Sequence, residues 1–254
     1  MTREATGGPI IRLKGVTLHY GGDDVVRGVD LTVKQGETKI VLGPSGVGKS
    51  TILKAILGLL RPKAGEIYIH GKEISKLPER ELVQIRLRMA MVFQHSALFD
   101  SMTVGDNVSY RLREHGLATE EAAERRVEEM LRFVGLTGAA KLKPAQLSGG
   151  MKKRVAIARA LAPDPEVFLF DEPTTGLDPV NVYNVEQLIL KLKRHANTTI
   201  VIVTHDMDVA SRLADSVALL HEGKFIFEGT AEGLKQSPDP RVQAFLDPAK
   251  AALA

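Results

Sequence analysis

The chain has 254 residues, 44% hydrophobic and 26% charged, with a formal net charge of +3 and no cysteine. This ordinary globular composition leaves out a disulfide framework, a thiolate metal site and a strongly basic nucleic-acid surface. No apolar run approaches the roughly 18 residues needed to cross a bilayer, and Met1 to Pro9 lacks the charged-then-apolar layout of a signal peptide; a soluble chain is expected, linked to any membrane through a partner.

In chain order, Ile10 to Leu18 and Val29 to Val33 alternate as strands, with Gly21-Gly22-Asp23-Asp24 as the turn signal between them. The apolar run Lys39 to Leu42 reads as a strand, and Ile52 to Leu57 has helical character. Glu66 to His70 is a short strand closed by Gly71, Pro78 to Arg88 an exposed helix, and Met89 to Phe93 a buried strand ending at Gln94. From Val104 to Ala162 the texture is that of a helical insertion. Thr119 opens a helix with Glu120 and Glu121 in its first turn, which runs to about Val134 and stops at Gly135. Ser148 is placed to cap a second long helix, ending at Pro163. Strand character returns at Val167 to Phe170, Thr199 to Val203 and Ser216 to Leu220, with a helix from Pro179 to His195. The tail after Ser237 reads as a short helix plus a loose end. Strands alternating with helices predict an α/β fold with a mostly parallel sheet covered on both faces.

Gly43-Pro44-Ser45-Gly46-Val47-Gly48-Lys49-Ser50-Thr51 is a complete phosphate-binding loop, set between a strand and a helix as the motif requires. Its glycines let successive N–H groups turn inward toward a polyphosphate, and the following helix N-terminus adds its positive dipole end. Lys49 suits β- and γ-phosphates, and the Ser50 hydroxyl suits Mg²⁺. The strand Val167 to Phe170 leads into Asp171 and Glu172. Two acids at a loop start are common on any surface, but downstream of a phosphate loop Asp171 suits Mg²⁺ and Glu172 suits the attacking water. Leu147-Ser148-Gly149-Gly150-Met151 is either a plain helix cap or a second anion site, and a second one is explained most simply by another subunit's nucleotide.

Lys49, Ser148, Asp171, Glu172 and His205 fall in the order and spacing of ATP-binding-cassette ATPase subunits, which the chain resembles from about Ile10 to Gly229. The resemblance implies a P-loop NTPase core with an antiparallel β subdomain and a helical insertion. It also implies one domain over 10–237, with core segments 10–93 and 164–229, a helical subdomain at about 95–162 and a tail at 238–254. It implies that Tyr20 stacks on adenine, that Gln94 senses Mg²⁺ and the γ-phosphate at a loop facing the membrane partner, that Asp178 crosses a dimer interface, and that His205 contacts the γ-phosphate. The magnesium set would then be Ser50, Gln94 and Asp171. The implied assembly is a head-to-tail homodimer with ATP held between the phosphate loop of one copy and Ser148 to Met151 of the other, docked on integral membrane permease subunits. Met151 stands where the family has glutamine.

Ala97 to Val104, Asn107-Val108, Leu112 to His115 and Asp239 to Leu246 resemble, more narrowly, the ATPases of transporters that work with MCE-domain proteins to move phospholipids between bacterial membranes. That branch implies a peripheral position on the cytoplasmic face of the inner membrane. An importer ATPase for a small polar solute would share every catalytic residue. A soluble cassette acting on ribosomes or DNA is disfavoured, because there is one cassette, no sustained heptad pattern and no basic face. The run Lys152-Lys153-Arg154 invites a lipid-headgroup reading, but a solvated helix face is the simpler expectation.

Overall fold

Period-two patterning sets the first elements, a hairpin of β1 (Pro9–Tyr20) and β2 (Asp23–Lys34). The computed structural model describes residues 8–194 and 198–247. The hairpin turn is shorter than the four-residue signal predicts. Tyr20 pairs with Asp23, so Gly21 and Gly22 alone make the turn, and Asp23 and Asp24 belong to β2. There follow β3 (Thr38–Leu42), α1 (Lys49–Ile56), β4 (Ala64–Ile69), β5 (Lys72–Glu73) and α2 (Glu79–Leu87), of which α2 buries only Leu82. Next come β6 (Met89–Val92), α3 (Val104–Glu114), α4 (Glu120–Phe133) and α5 (Gly149–Leu161). The chain then runs through β7 (Val167–Asp171), α6 (Pro179–Lys193), β8 (Thr199–Thr204) and α7 (Met207–Leu213). It ends with β9 (Ser216–His221), β10 (Lys224–Gly229), α8 (Ala231–Lys235) and α9 (Pro240–Leu246). His195, the predicted end of α6, and the loose end of the tail lie outside the described residues.

Two compact units make up the chain, residues 1–86 with 193–254, and residues 87–192. The first holds an antiparallel sheet in the order β2-β1-β4-β5 and the strands β10-β9-β3-β8. Of these, β9, β3 and β8 run parallel, and β10 pairs antiparallel with β9. β3 and β8 are buried along their whole length, which is why they read as continuous apolar runs rather than alternating ones. Ile40, Leu42, Ile52, Leu53 and Ile56 are fully buried, each worth about 1.5–3 kcal/mol of transfer free energy. They hold the end of β3 and the start of α1 rigid around the loop between them.

The second unit pairs β6 and β7 in parallel and packs α3, α4 and α5 against one another. The predicted caps are in place, with Thr119 accepting from the Ala122 N–H and Ser148 from the Met151 N–H. Helix α3 is a finding of the structure. Its polar sequence hides a stripe of Val104, Val108 and Leu112, and a capping box between Thr103 and Asp106 starts it. The architecture is α/β, with parallel strands covered by helices, an antiparallel β subdomain and a helical insertion.

Candidate nucleotide site

In the first unit, β3 ends at Leu42 and hands the chain to the loop Gly43 to Gly48, after which α1 begins at Lys49. Gly48 caps α1 with no side-chain acceptor, so no side chain competes for the first-turn N–H groups. The cap needs glycine. Its φ is 109°, and a Cβ there would lie 3.1 Å from Val26 Cγ2 and 3.2 Å from the Val25 carbonyl oxygen. Lys49 is buried and its Nζ donates to the Gly43 and Pro44 carbonyl oxygens at 2.8 and 3.0 Å, which draws the ammonium over the loop. Pro44, Ser45 and Gly46 form the exposed tip, while Ser50 and Thr51 are half-buried in the first turn. This donor set, an uncapped helix end plus an inward ammonium and a hydroxyl, fits a polyphosphate.

His205 belongs to the same edge. Leu42 of β3 lies opposite Thr204 of β8, so the phosphate loop and His205 leave adjacent parallel strands at their C-terminal ends, where α/β sheets bind ligands. Asp206 caps α7 by accepting from the Asp208 and Val209 N–H groups, which fixes the backbone directly after His205. Tyr20 ends β1, and its side chain lies outside what is described.

In the second unit the pairing of β6 with β7 puts Val92 opposite Phe170. Gln94 and the pair Asp171–Glu172 therefore emerge together from one strand edge. Asp171 and Glu172 are both buried, and the Thr175 hydroxyl donates to Glu172 Oε2 at 3.0 Å. Glu172 sits at φ 46°, a left-handed conformation that costs a non-glycine residue about 1–2 kcal/mol. Ser148 and Gly149 are exposed, Gly150 is buried and Met151 half-buried. A Cβ on Gly150 would overlap the Asn181 side-chain amide. Asn181 in turn donates its backbone N–H (3.0 Å) and its Nδ2 (2.6 Å) to the Asp178 carboxylate, which holds that carboxyl below its usual range. The Ser148–Met151 segment and Asp178 are thus joined through Asn181, a residue without a sequence signal.

The basic run after Met151 is not a solvated face. Lys153 is buried, with 2% of its surface exposed, and its Nζ donates to the Gln94 carbonyl oxygen at 2.6 Å and to that of Phe93 at 3.4 Å. Burial pushes its ammonium down to about 8, against the opposing pull of the Asp171 and Glu172 charges. Arg154 is half-buried and bonds the Val134 and Gly135 carbonyls that end α4. The signal for Lys153 was present. It follows Gly150 by three residues and precedes Ile157 by four, so it shares their buried stripe. Farther along α5, Arg159 donates to the Ser96 and Ala97 carbonyls at 2.9 and 2.6 Å. Ser96 and Ala97 both have positive φ, 61° and 46°.

Among the described residues no helix is long and apolar enough to cross a membrane. Residues 26–175 match the family described as ABC transporter. The chain is 43% identical over 237 residues to the intermembrane phospholipid transport system ATP-binding protein MlaF of Haemophilus influenzae, covering 93% of this chain and 90% of that one. It is 41% identical over 240 residues to the probable ribonucleotide transport ATP-binding protein mkl of Mycobacterium leprae, covering 94% of this chain and 69% of that one. It is also similar to the dimeric ATP-binding cassette MJ0796 bound to ADP and phosphate. The TM-score is 0.81 at 37% identity, covering 87% of this chain and 98% of that chain.

Proposed function

The chain belongs to the ABC transporter family, and on that premise we propose that this transporter ATPase is the motor of a system moving phospholipids between bacterial membranes. The observation that carries the reading is the near full-length similarity to MlaF. It spans 237 residues, far more than the phosphate loop and acids that any cassette shares. A similar identity to mkl supports a second reading, transport of a polar solute by the same ATPase chemistry.

In this proposal one cassette spans 10–237, with core segments 10–93 and 164–229, a helical segment at 95–162 and a tail at 238–254. Lys49 and the loop N–H groups hold the β- and γ-phosphates of ATP. Tyr20 stacks on the adenine. Ser50, Asp171 and Gln94 are the residues that would hold magnesium, which when bound neutralises charge developing on the phosphates. Among the described residues no three His, Asp or Glu side chains are grouped to hold a metal, so phosphate and water oxygens would complete the shell. Glu172, steadied by Thr175, accepts a proton from the attacking water, and His205 contacts the γ-phosphate. Ser148, Gly149, Gly150 and Met151, with Asp178, act on the nucleotide of a second copy in a head-to-tail dimer. ATP then drives closure through its higher affinity for the closed state. The dimer docks peripherally on membrane permease subunits at the cytoplasmic face of the inner membrane, with an MCE-domain protein completing the system and no nucleic acid involved.

Two measurements follow. Lys49→Ala is expected to weaken ATP binding by about 1.5–3 kcal/mol, roughly tenfold to a hundredfold, because a charged hydrogen-bond donor is lost. Unchanged affinity in a calorimetric titration rules out the phosphate cradle. A tagged chain, gently extracted from its host's membranes, is expected to bring down a permease, an MCE-domain protein and phospholipid. A solute-binding protein in their place moves the function to the second reading, and ribosomes or DNA factors remove both.

A further inference from the structure

Two buried or half-buried cations of α5 hold one short backbone segment, residues 93–97. Lys153 donates to the Phe93 and Gln94 carbonyls, and Arg159 to those of Ser96 and Ala97. We propose that Lys153 and Arg159 are positioning residues for ATP hydrolysis, a clamp through which α5, the helix capped by Ser148, sets the backbone, and hence the side-chain position, of Gln94. The proposal rests on Gln94 acting at magnesium and the γ-phosphate.

Three observations point the same way. Lys153 is a buried cation where α5 needs only bulk. Gly150 and Ile157 on the same stripe are buried, and an apolar side chain of similar volume serves packing at least as well as an ammonium taken out of water. What the ammonium adds is direction, since its acceptors are the carbonyl of Gln94 and that of the residue before it. Second, the held segment has a strained backbone. Ser96 and Ala97 are consecutive non-glycine residues with positive φ, and such backbone persists only where its surroundings over-determine it. The guanidinium fork of Arg159 supplies that constraint on both of their carbonyls, and the Ser96 N–H donates back to the Phe93 carbonyl at 3.0 Å. Third, the clamp is continuous with the exposed Phe99. Arg159 lies over the Phe99 ring at 5.8 Å, and Phe99 packs tilted at 45° against Tyr110 of α3 with centroids 4.7 Å apart. Movement of α5 is therefore passed to Gln94 through charged hydrogen bonds rather than through loose packing.

The test uses full-length protein and the variants Lys153→Met, Lys153→Arg, Gln94→Ala and the double variant Lys153→Met with Gln94→Ala. Steady-state turnover, ATP affinity and the Mg²⁺ concentration for half-maximal turnover are measured. Lys153→Met is expected to lower kcat by about tenfold or more and to raise the Mg²⁺ requirement, with ATP affinity changed by less than about twofold. Lys153→Arg, which keeps the donors, is expected to recover most of the loss. The double variant is expected to be no slower than Gln94→Ala, because both changes act on one group. Wild-type turnover in Lys153→Met, or losses that multiply in the double variant, overturns the clamp and leaves the Gln94 role standing. Wild-type turnover in Gln94→Ala removes the Gln94 role and the clamp with it. If Lys153→Met does not fold, Arg159→Lys carries the test: it keeps the charge but loses the two-carbonyl fork. A raised Mg²⁺ requirement supports the clamp, and an unchanged one overturns it.

Discussion

Glu172→Gln is expected to bind ATP with unchanged affinity, to accumulate as an ATP-loaded dimer and to lose about 10²- to 10⁴-fold in turnover. The substitution is close to isosteric, and glutamine keeps an oxygen that accepts from the Thr175 hydroxyl. What disappears is the proton acceptor. The positive φ of Glu172 strengthens this expectation, because backbone strain of about 1–2 kcal/mol is kept where it aims a side chain that matters. In the proposed site ATP is held elsewhere, by the loop Gly43 to Gly48 and Lys49. Without hydrolysis the closed state keeps its bound ATP, so the population stays shifted toward the dimer. Size-exclusion chromatography with and without ATP, alongside a phosphate-release assay, checks both halves. Normal phosphate release removes Glu172 as the base, and a monomer with ATP bound removes the closure step.

Ser148→Arg is expected to leave ATP binding by the dilute monomer intact and to reduce turnover about 10²-fold or more. Two effects combine. The N-cap of α5 is lost, which costs about 0.5–2 kcal/mol, and a long cation is placed on an exposed helix start. Neither alters Gly43 to Thr51, the phosphate loop itself. If the dilute monomer instead loses ATP affinity, Ser148 serves its own nucleotide and the two-copy site is wrong. A thermal melt separates the cap loss from the catalytic loss, since about 2 kcal/mol of stability leaves the protein folded at assay temperature.

Much of the site is local in the chain and was legible for that reason. The phosphate loop is nine contiguous residues whose chemistry is that of its own backbone, and its strand and helix adjoin it. The caps Thr119 and Ser148 were readable because an N-cap bonds N–H groups two or three residues ahead. The buried strands β3, β7 and β8 announced themselves as unbroken apolar runs. Their delivery of His205, Asp171 and Glu172 to the ends of parallel strands follows from the α/β pattern.

Other features had no local signature or one masked by a stronger competing pattern. The turn at Gly21–Gly22 was overestimated because aspartate favours turns, whereas here Asp23 and Asp24 pair with β1 as the first residues of β2. α3 was hidden by polar residues among Val104, Val108 and Leu112. Lys152, Lys153 and Arg154 read alike as a charged run, yet Lys153 is buried and faces carbonyls 59 and 60 residues earlier. The close approach of Asn181 to Gly150, and through it the link to Asp178, likewise spans distant segments. The division has a physical cause. Loops, caps and strand patterns are written in side-chain types at short, regular spacing. A backbone carbonyl is present at every residue, so nothing in the sequence marks Gln94 as the acceptor that Lys153 meets. That pairing exists only once packing has brought α5 against the end of β6.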